Sequence, residues 1–102
     1  MDFNKMLKQA QEMQEKVQEM KDKLKNIKAD GTSGAGLVVA TMNGSNELVS
    51  IKIDDKVFKE ENAVLEDLIV AAVNNAKKAV ESKTQEEMSK LTGDLKLSLI
   101  HI

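Results

Sequence analysis

Lysines hold most of the chemistry available to this chain. Lys5, Lys8, Lys16, Lys21, Lys23, Lys25 and Lys28 recur through the first segment, and Lys77, Lys78, Lys83 and Lys90 through a later one. Ammonium groups strung along helices can neutralise the phosphates of a nucleic-acid duplex, and a two-fold axis would double them. The overall balance opposes this, because the net charge is −2 and the pI ≈ 5.4, where a nucleic-acid-binding domain is expected above about 9. Two phenylalanines, with no tyrosine or tryptophan, leave no platform on which single-stranded bases could stack. If nucleic acid is bound, the backbone of double-stranded DNA is the expected target.

The other candidate chemistries are thin. His101, the single histidine, stands next to last with no cysteine or second histidine for company, so no metal site or general base is expected of it. Gly31, Gly34 and Gly36 have the look of a phosphate loop. They follow a helical pattern and precede a strand, however, the reverse of the order that aims amide groups at a phosphate. Tight turns explain them better. The acidic pairs Asp54-Asp55, Glu60-Glu61, Glu66-Asp67 and Glu86-Glu87 are sequence neighbours that point in different directions on a helix, so none forms a carboxylate dyad. No nucleophile has a base and an orienting partner, and neither an enzyme nor a cofactor is expected.

The elements that must position the lysines are clearer. Phe3, Met6, Ala10, Met13, Val17, Met20, Leu24 and Ile27 alternate steps of three and four, the a/d seam of a heptad helix. At about 1.5 Å per residue this helix is ~36 Å long, against ~17–20 Å for an ordinary strand. A small sheet cannot cover it, so the seam predicts a homo-oligomer, a dimer in the simplest case, with Met6, Met13, Val17, Met20 and Leu24 as interface residues. With Phe3 at position a, the flanking e and g sites include Gln9, Gln14, Lys16, Lys21, Lys23 and Lys28, with only Asp2 acidic. Parallel pairing would set lysine against lysine. The seam is therefore expected to pack on the sheet and on helices of the partner, leaving a lysine-lined flank in solvent.

The first helix is predicted over 1–28, with Asp2 as its cap and Gly31 beyond its stop. Composition marks Asp30 to Gly36 as loop. Leu37 to Met42 and Leu48 to Ile53 flank Asn43-Gly44-Ser45-Asn46, a hairpin signal whose turn tolerates positive φ. Val49, Ile51 and Ile53 should share one face, and Ser50, Lys52 and Asp54 a wet one. A second helix is predicted over 62–91 with Asn62 as N-cap, carrying the stripe Leu65, Leu68, Ile69, Ala72, Val73, Ala76, Ala79 and Val80. Beyond Val80 the sequence is polar nearly all round and should project from the body. Residues 92–102 alternate in a way that would suit a short edge strand, and they are expected to form a mobile tail.

A chain of 102 residues is one domain, and its core alone is marginal. The absence of cysteine, of an apolar run long enough for a bilayer and of a basic leader points to a cytoplasmic protein without disulfides or membrane attachment.

Several segments together resemble a known family. Met6 to Gln14, Ser33-Gly34-Ala35-Gly36-Leu37-Val38, Asn43-Gly44, Ile51-Lys52-Ile53-Asp54 and Leu65 to Ala76 look like the YbaB/EbfC family of bacterial nucleoid-associated proteins, in order and at family spacing from residue 3 to about 93. The resemblance implies an α+β subunit of two layers ordered α-β-β-β-α, with the sheet over 29–54. Its missing strand would lie around Lys28 to Ser33, and the N- and C-terminal helices would project from a homodimer like the arms of tweezers. It further implies cytoplasmic, nucleoid-associated binding to duplex DNA with a part in nucleoid organisation or gene regulation. The family motif is mostly scaffold, so the lysine contact positions Lys5, Lys8, Lys16, Lys21, Lys23, Lys25, Lys77, Lys78, Lys83 and Lys90 rest on the residues alone. The alternative is a non-enzymatic interaction scaffold for replication or repair factors, held by the methionine-bearing arms.

Overall fold

The computed structural model describes residues 2–100, with side chains described over 2–90. Helix α1 spans Phe3–Asn26, strands β1, β2 and β3 span Lys28–Ser33, Val38–Asn43 and Leu48–Ile53, and helix α2 spans Asn62–Ile100. Short 3-10 turns cover Gly34–Gly36 and Asp55–Lys59. The sheet is antiparallel in the order β1-β2-β3, which is the α-β-β-β-α order implied by the resemblance. No helix among the described residues is long and apolar enough to cross a membrane.

Asp2 caps α1 as its sequence position suggested, its carboxylate accepting from the Asn4 amide at 3.2 Å. The expected stripe on α2 covers one face of the sheet. Ala72, Ala76 and Val80 are fully buried with Val38, Ala40, Met42 and Val57, and Leu65, Leu68, Ile69 and Val73 pack around them. The small alanines let the layers close together. A Cβ on Gly31 would fall on the Ala76 amide and 2.5 Å from the Ala72 carbonyl oxygen, so β1 can cross α2 only where it has no side chain.

That crossing corrects the loop expected from composition over Asp30 to Gly36. Asp30 and Gly31 have poor strand propensity, yet Asp30, Gly31, Thr32 and Ser33 pair with Thr41, Ala40, Val39 and Val38. Packing decides where propensity does not. The turn proper is Gly34–Gly36, where Gly34, Ala35 and Gly36 all hold positive φ. Side chains of α2 finish the outer edge of β1: the Asn75 amide donates to the Thr32 carbonyl at 2.9 Å, and the Lys83 ammonium donates to the Lys28 carbonyl at 2.8 Å.

The β2–β3 hairpin forms where expected, but for other reasons. The buried Asn43 side chain organises it, accepting from the Ser45 and Glu47 amides at 3.0 Å each and donating to the Glu47 carboxylate. Positive φ falls on Asn46, not on Gly44. A bulge opposite Thr41 and Met42 leaves Val49 unpaired, with Ser50 facing Thr41 and Leu48 facing Met42. Val49 is consequently exposed, while Ile51 and Ile53 are the β3 residues packed against the core. Ser50 and Lys52 lie in solvent as expected.

Two boundaries also move, and one cap. α1 stops at Asn26, because Lys28 enters the sheet. α2 begins at Asn62 itself, with the Glu61 carbonyl accepting from the Val64 and Leu65 amides. Its backbone continues past Leu91 to Ile100, while the mobility expected of residues 92–102 falls on side chains outside the described residues, as does His101.

Candidate nucleic-acid interface

Helix α1 leaves the body as a bare arm. None of its residues is buried, and Phe3, Met6, Leu7, Met13, Val17 and Met20 are 46 to 72% exposed. The expectation that the seam would pack partly on its own sheet is met only at the root, where Leu24 and Ile27 are half-buried. The chain accordingly has a radius of gyration of 20.2 Å, where a compact fold of this length would have about 13 Å.

The root is fixed by main chain. The Gly44 amide donates to the carbonyls of Leu24 and Ile27, each at 2.9 Å, so the hairpin turn closes the C-terminal end of α1. Beside it a cleft of about 250 Å³ is lined by Gly44, Asn46, Val80, Glu81, Thr84 and Gln85. The Thr84 hydroxyl is buried there and has no hydrogen-bond partner among the described residues.

Successive α-helical residues are about 100° apart around the axis, and this sorts the charges of α1. Glu12, Glu15, Glu19 and Asp22 form a ridge on the side opposite the apolar seam. Lys5, Lys16 and Lys23 line one flank between seam and ridge, Lys21 and Lys25 fall toward the other, and Lys8 joins the acidic side. All of these lysines are exposed. A phosphate backbone approaching the ridge would meet carboxylates, so the flanks are the only faces of α1 electrostatically suited to it. Sequence inspection for neighbouring acidic pairs misses this ridge; its signal is the three-and-four spacing of Glu12, Glu15, Glu19 and Asp22.

On α2 the lysines are not equivalent. Lys77 and Lys78 are exposed, directed away from the sheet. Lys90 forms an exposed ion pair with Glu87 at 3.8 Å, a contact worth little against solvent and salt. Lys83 is fixed on the Lys28 carbonyl. The structure thus brings Lys83 onto the main chain of Lys28, and leaves Lys5 and Lys8 at the opposite end of α1 from that point. Of the interface candidates, Met6, Met13, Val17 and Met20 share one open seam, and Leu24 sits at its root. Among the described residues no group of His, Cys, Asp and Glu could hold a metal ion.

The arrangement has counterparts among known proteins. The model of the YbaB/EbfC DNA-binding family matches residues 1–95. A protein of Granulibacter bethesdensis named as nucleoid-associated is 48% identical over 93 residues, covering 90% of this chain and 87% of that protein. One of the same name from Caldanaerobacter subterraneus subsp. tengcongensis is 45% identical over 93 residues, covering 90% and 84%. The crystal structure of an uncharacterized Helicobacter pylori protein superposes with a TM-score of 0.67 at 27% identity, covering 90% of this chain and 98% of that one.

Proposed function

Because the chain belongs to the YbaB/EbfC DNA-binding family, whose relatives here are named nucleoid-associated proteins, we propose that it binds duplex DNA as a homodimer. Contact is made mainly to phosphate, through helix-borne lysines, and serves nucleoid organisation or gene regulation in the cytoplasm. The role is binding, without catalysis.

The observation that carries this reading is the bare seam of α1. Covering one such side chain is worth about 1.5–3 kcal/mol, whereas association costs roughly 4–15 kcal/mol. Several must therefore be covered at once, and a second copy seated along the arm does that for both chains by symmetry. The lysine flanks remain in solvent under this arrangement. With no aromatic platform, they favour backbone contact over base stacking.

A salt-titrated binding assay with duplex DNA, run beside sedimentation of the free protein, tests the proposal. The expected result is a dimer at micromolar concentration whose DNA affinity falls steeply with salt. A folded monomer would remove the homodimer. The exposed methionines Met6, Met13 and Met20 favour a second reading, a scaffold whose adaptable arms hold replication or repair factors. That reading requires negligible DNA affinity at every salt concentration.

A further inference from the structure

Lys83 of α2 is joined to the main chain of Lys28 at the fork where α1 ends and β1 begins. Ile27 roots the fork in the core. Lys25 is in the last turn of α1 and Lys28 opens β1, both exposed. Lys83 reaches the start of β1 from α2, its ammonium on the Lys28 carbonyl at 2.8 Å. That bond holds one end of a side chain which would otherwise sample many rotamers.

The partners Lys83 does not take are as informative as the one it does. Glu86 and Glu87 stand three and four residues on, within ordinary helical pairing distance. Glu87 pairs instead with Lys90, and Lys83 turns to the main chain. A carbonyl accepts one of the three ammonium protons, so two donors remain available. Among the described residues, none of Lys25, Lys28 and Lys83 has a carboxylate within 4.0 Å. A phosphate placed beside them would therefore displace no existing ion pair.

We infer that this fork is the phosphate anchor for duplex DNA, with Lys83 as its fixed contact and Lys25 and Lys28 as mobile ones. The inference rests on the DNA-binding reading above and places the contact at the base of the arms, not at their tips. Rigid placement favours this, since a lysine already held by the fold loses less side-chain entropy on meeting a phosphate than one on a bare helix.

The test measures binding of the full-length protein to duplex DNA of arbitrary sequence across a salt series. Lys25→Gln with Lys28→Gln leaves the Lys83 bond intact, because its acceptor is main chain. This variant should lower the slope of log affinity against log salt by about 0.9 for each phosphate that is no longer neutralised. Lys83→Gln should do the same, with thermal unfolding confirming that the variant is folded. Lys56→Gln with Lys59→Gln, exposed in the 3-10 turn after β3, should keep the wild-type slope. A wild-type protein that binds with steep salt dependence, and whose fork variants bind as it does, overturns the anchor alone. A wild-type protein without salt-dependent affinity for duplex overturns the DNA-binding reading and the anchor with it.

Discussion

The Gly44 amide donates to the Leu24 carbonyl at 2.9 Å, and a Cβ built on Gly44 would stand 2.6 Å from that same oxygen. One contact thus ties the hairpin turn to the end of α1 and excludes any side chain from the position. Gly44→Ala should lose the close approach and cost about 1–3 kcal/mol, the range for overpacked sites. Thermal unfolding measures this. DNA affinity of the folded fraction should stay unchanged, and a selective loss of affinity at full stability would instead place the turn in the binding surface.

Thr84 offers the opposite change. Its buried hydroxyl has no partner among the described residues, and leaving such a group unsatisfied costs about 1–3 kcal/mol. Thr84→Val removes the hydroxyl and keeps the β-branched shape, so chemical denaturation should show a protein more stable by about 1 kcal/mol. Equal or lower stability would mean that solvent reaches the hydroxyl in the cleft.

Met13→Glu with Val17→Glu separates fold from assembly. Both positions are exposed in the single chain, so the charges should leave its folding intact. Buried against a second copy, each unpaired charge would cost several kcal/mol. Sedimentation should therefore show dissociation, while circular dichroism shows native helix content. Dimers that persist in the variant would put the interface elsewhere.

Lys16→Gln with Lys23→Gln tests the flank of α1. Both residues share one side of the helix between the seam and the acidic ridge, and neither has an ion-pair partner among the described residues. If the flank touches DNA in addition to the fork, binding to unrelated duplexes should weaken about equally, with a salt slope smaller by roughly 0.9 for each phosphate released. Unchanged affinity and slope would assign these lysines to solvent.

Periodicity made the helices and the hairpin legible. The stripe from Leu65 to Val80 could bury only one face of a helix, and that face covers the sheet. β1 was legible only through the family resemblance, because its centre, Gly31, becomes strand by fitting beneath Ala72 and Ala76, a relationship between residues far apart in sequence. Gly44 was legible as a turn residue but not in its reason, which lies in an oxygen of α1 and not in its own φ. The lysine candidates were equivalent as letters. What distinguishes Lys83 is a main-chain acceptor, and a carbonyl leaves no mark in an amino-acid sequence.

The finishing of the sheet margins bears on how copies of this protein tolerate crowding. An unpaired strand margin is a template on which another chain can add and continue into a fibril. On β1 the Thr32 and Lys28 carbonyls are already occupied by Asn75 and Lys83. On β3 the bulge at Val49 and the outward Lys52 interrupt the row. Neither margin presents an unbroken ladder to a neighbour. Copies brought to high local density would therefore meet margins that offer a neighbour no continuous template.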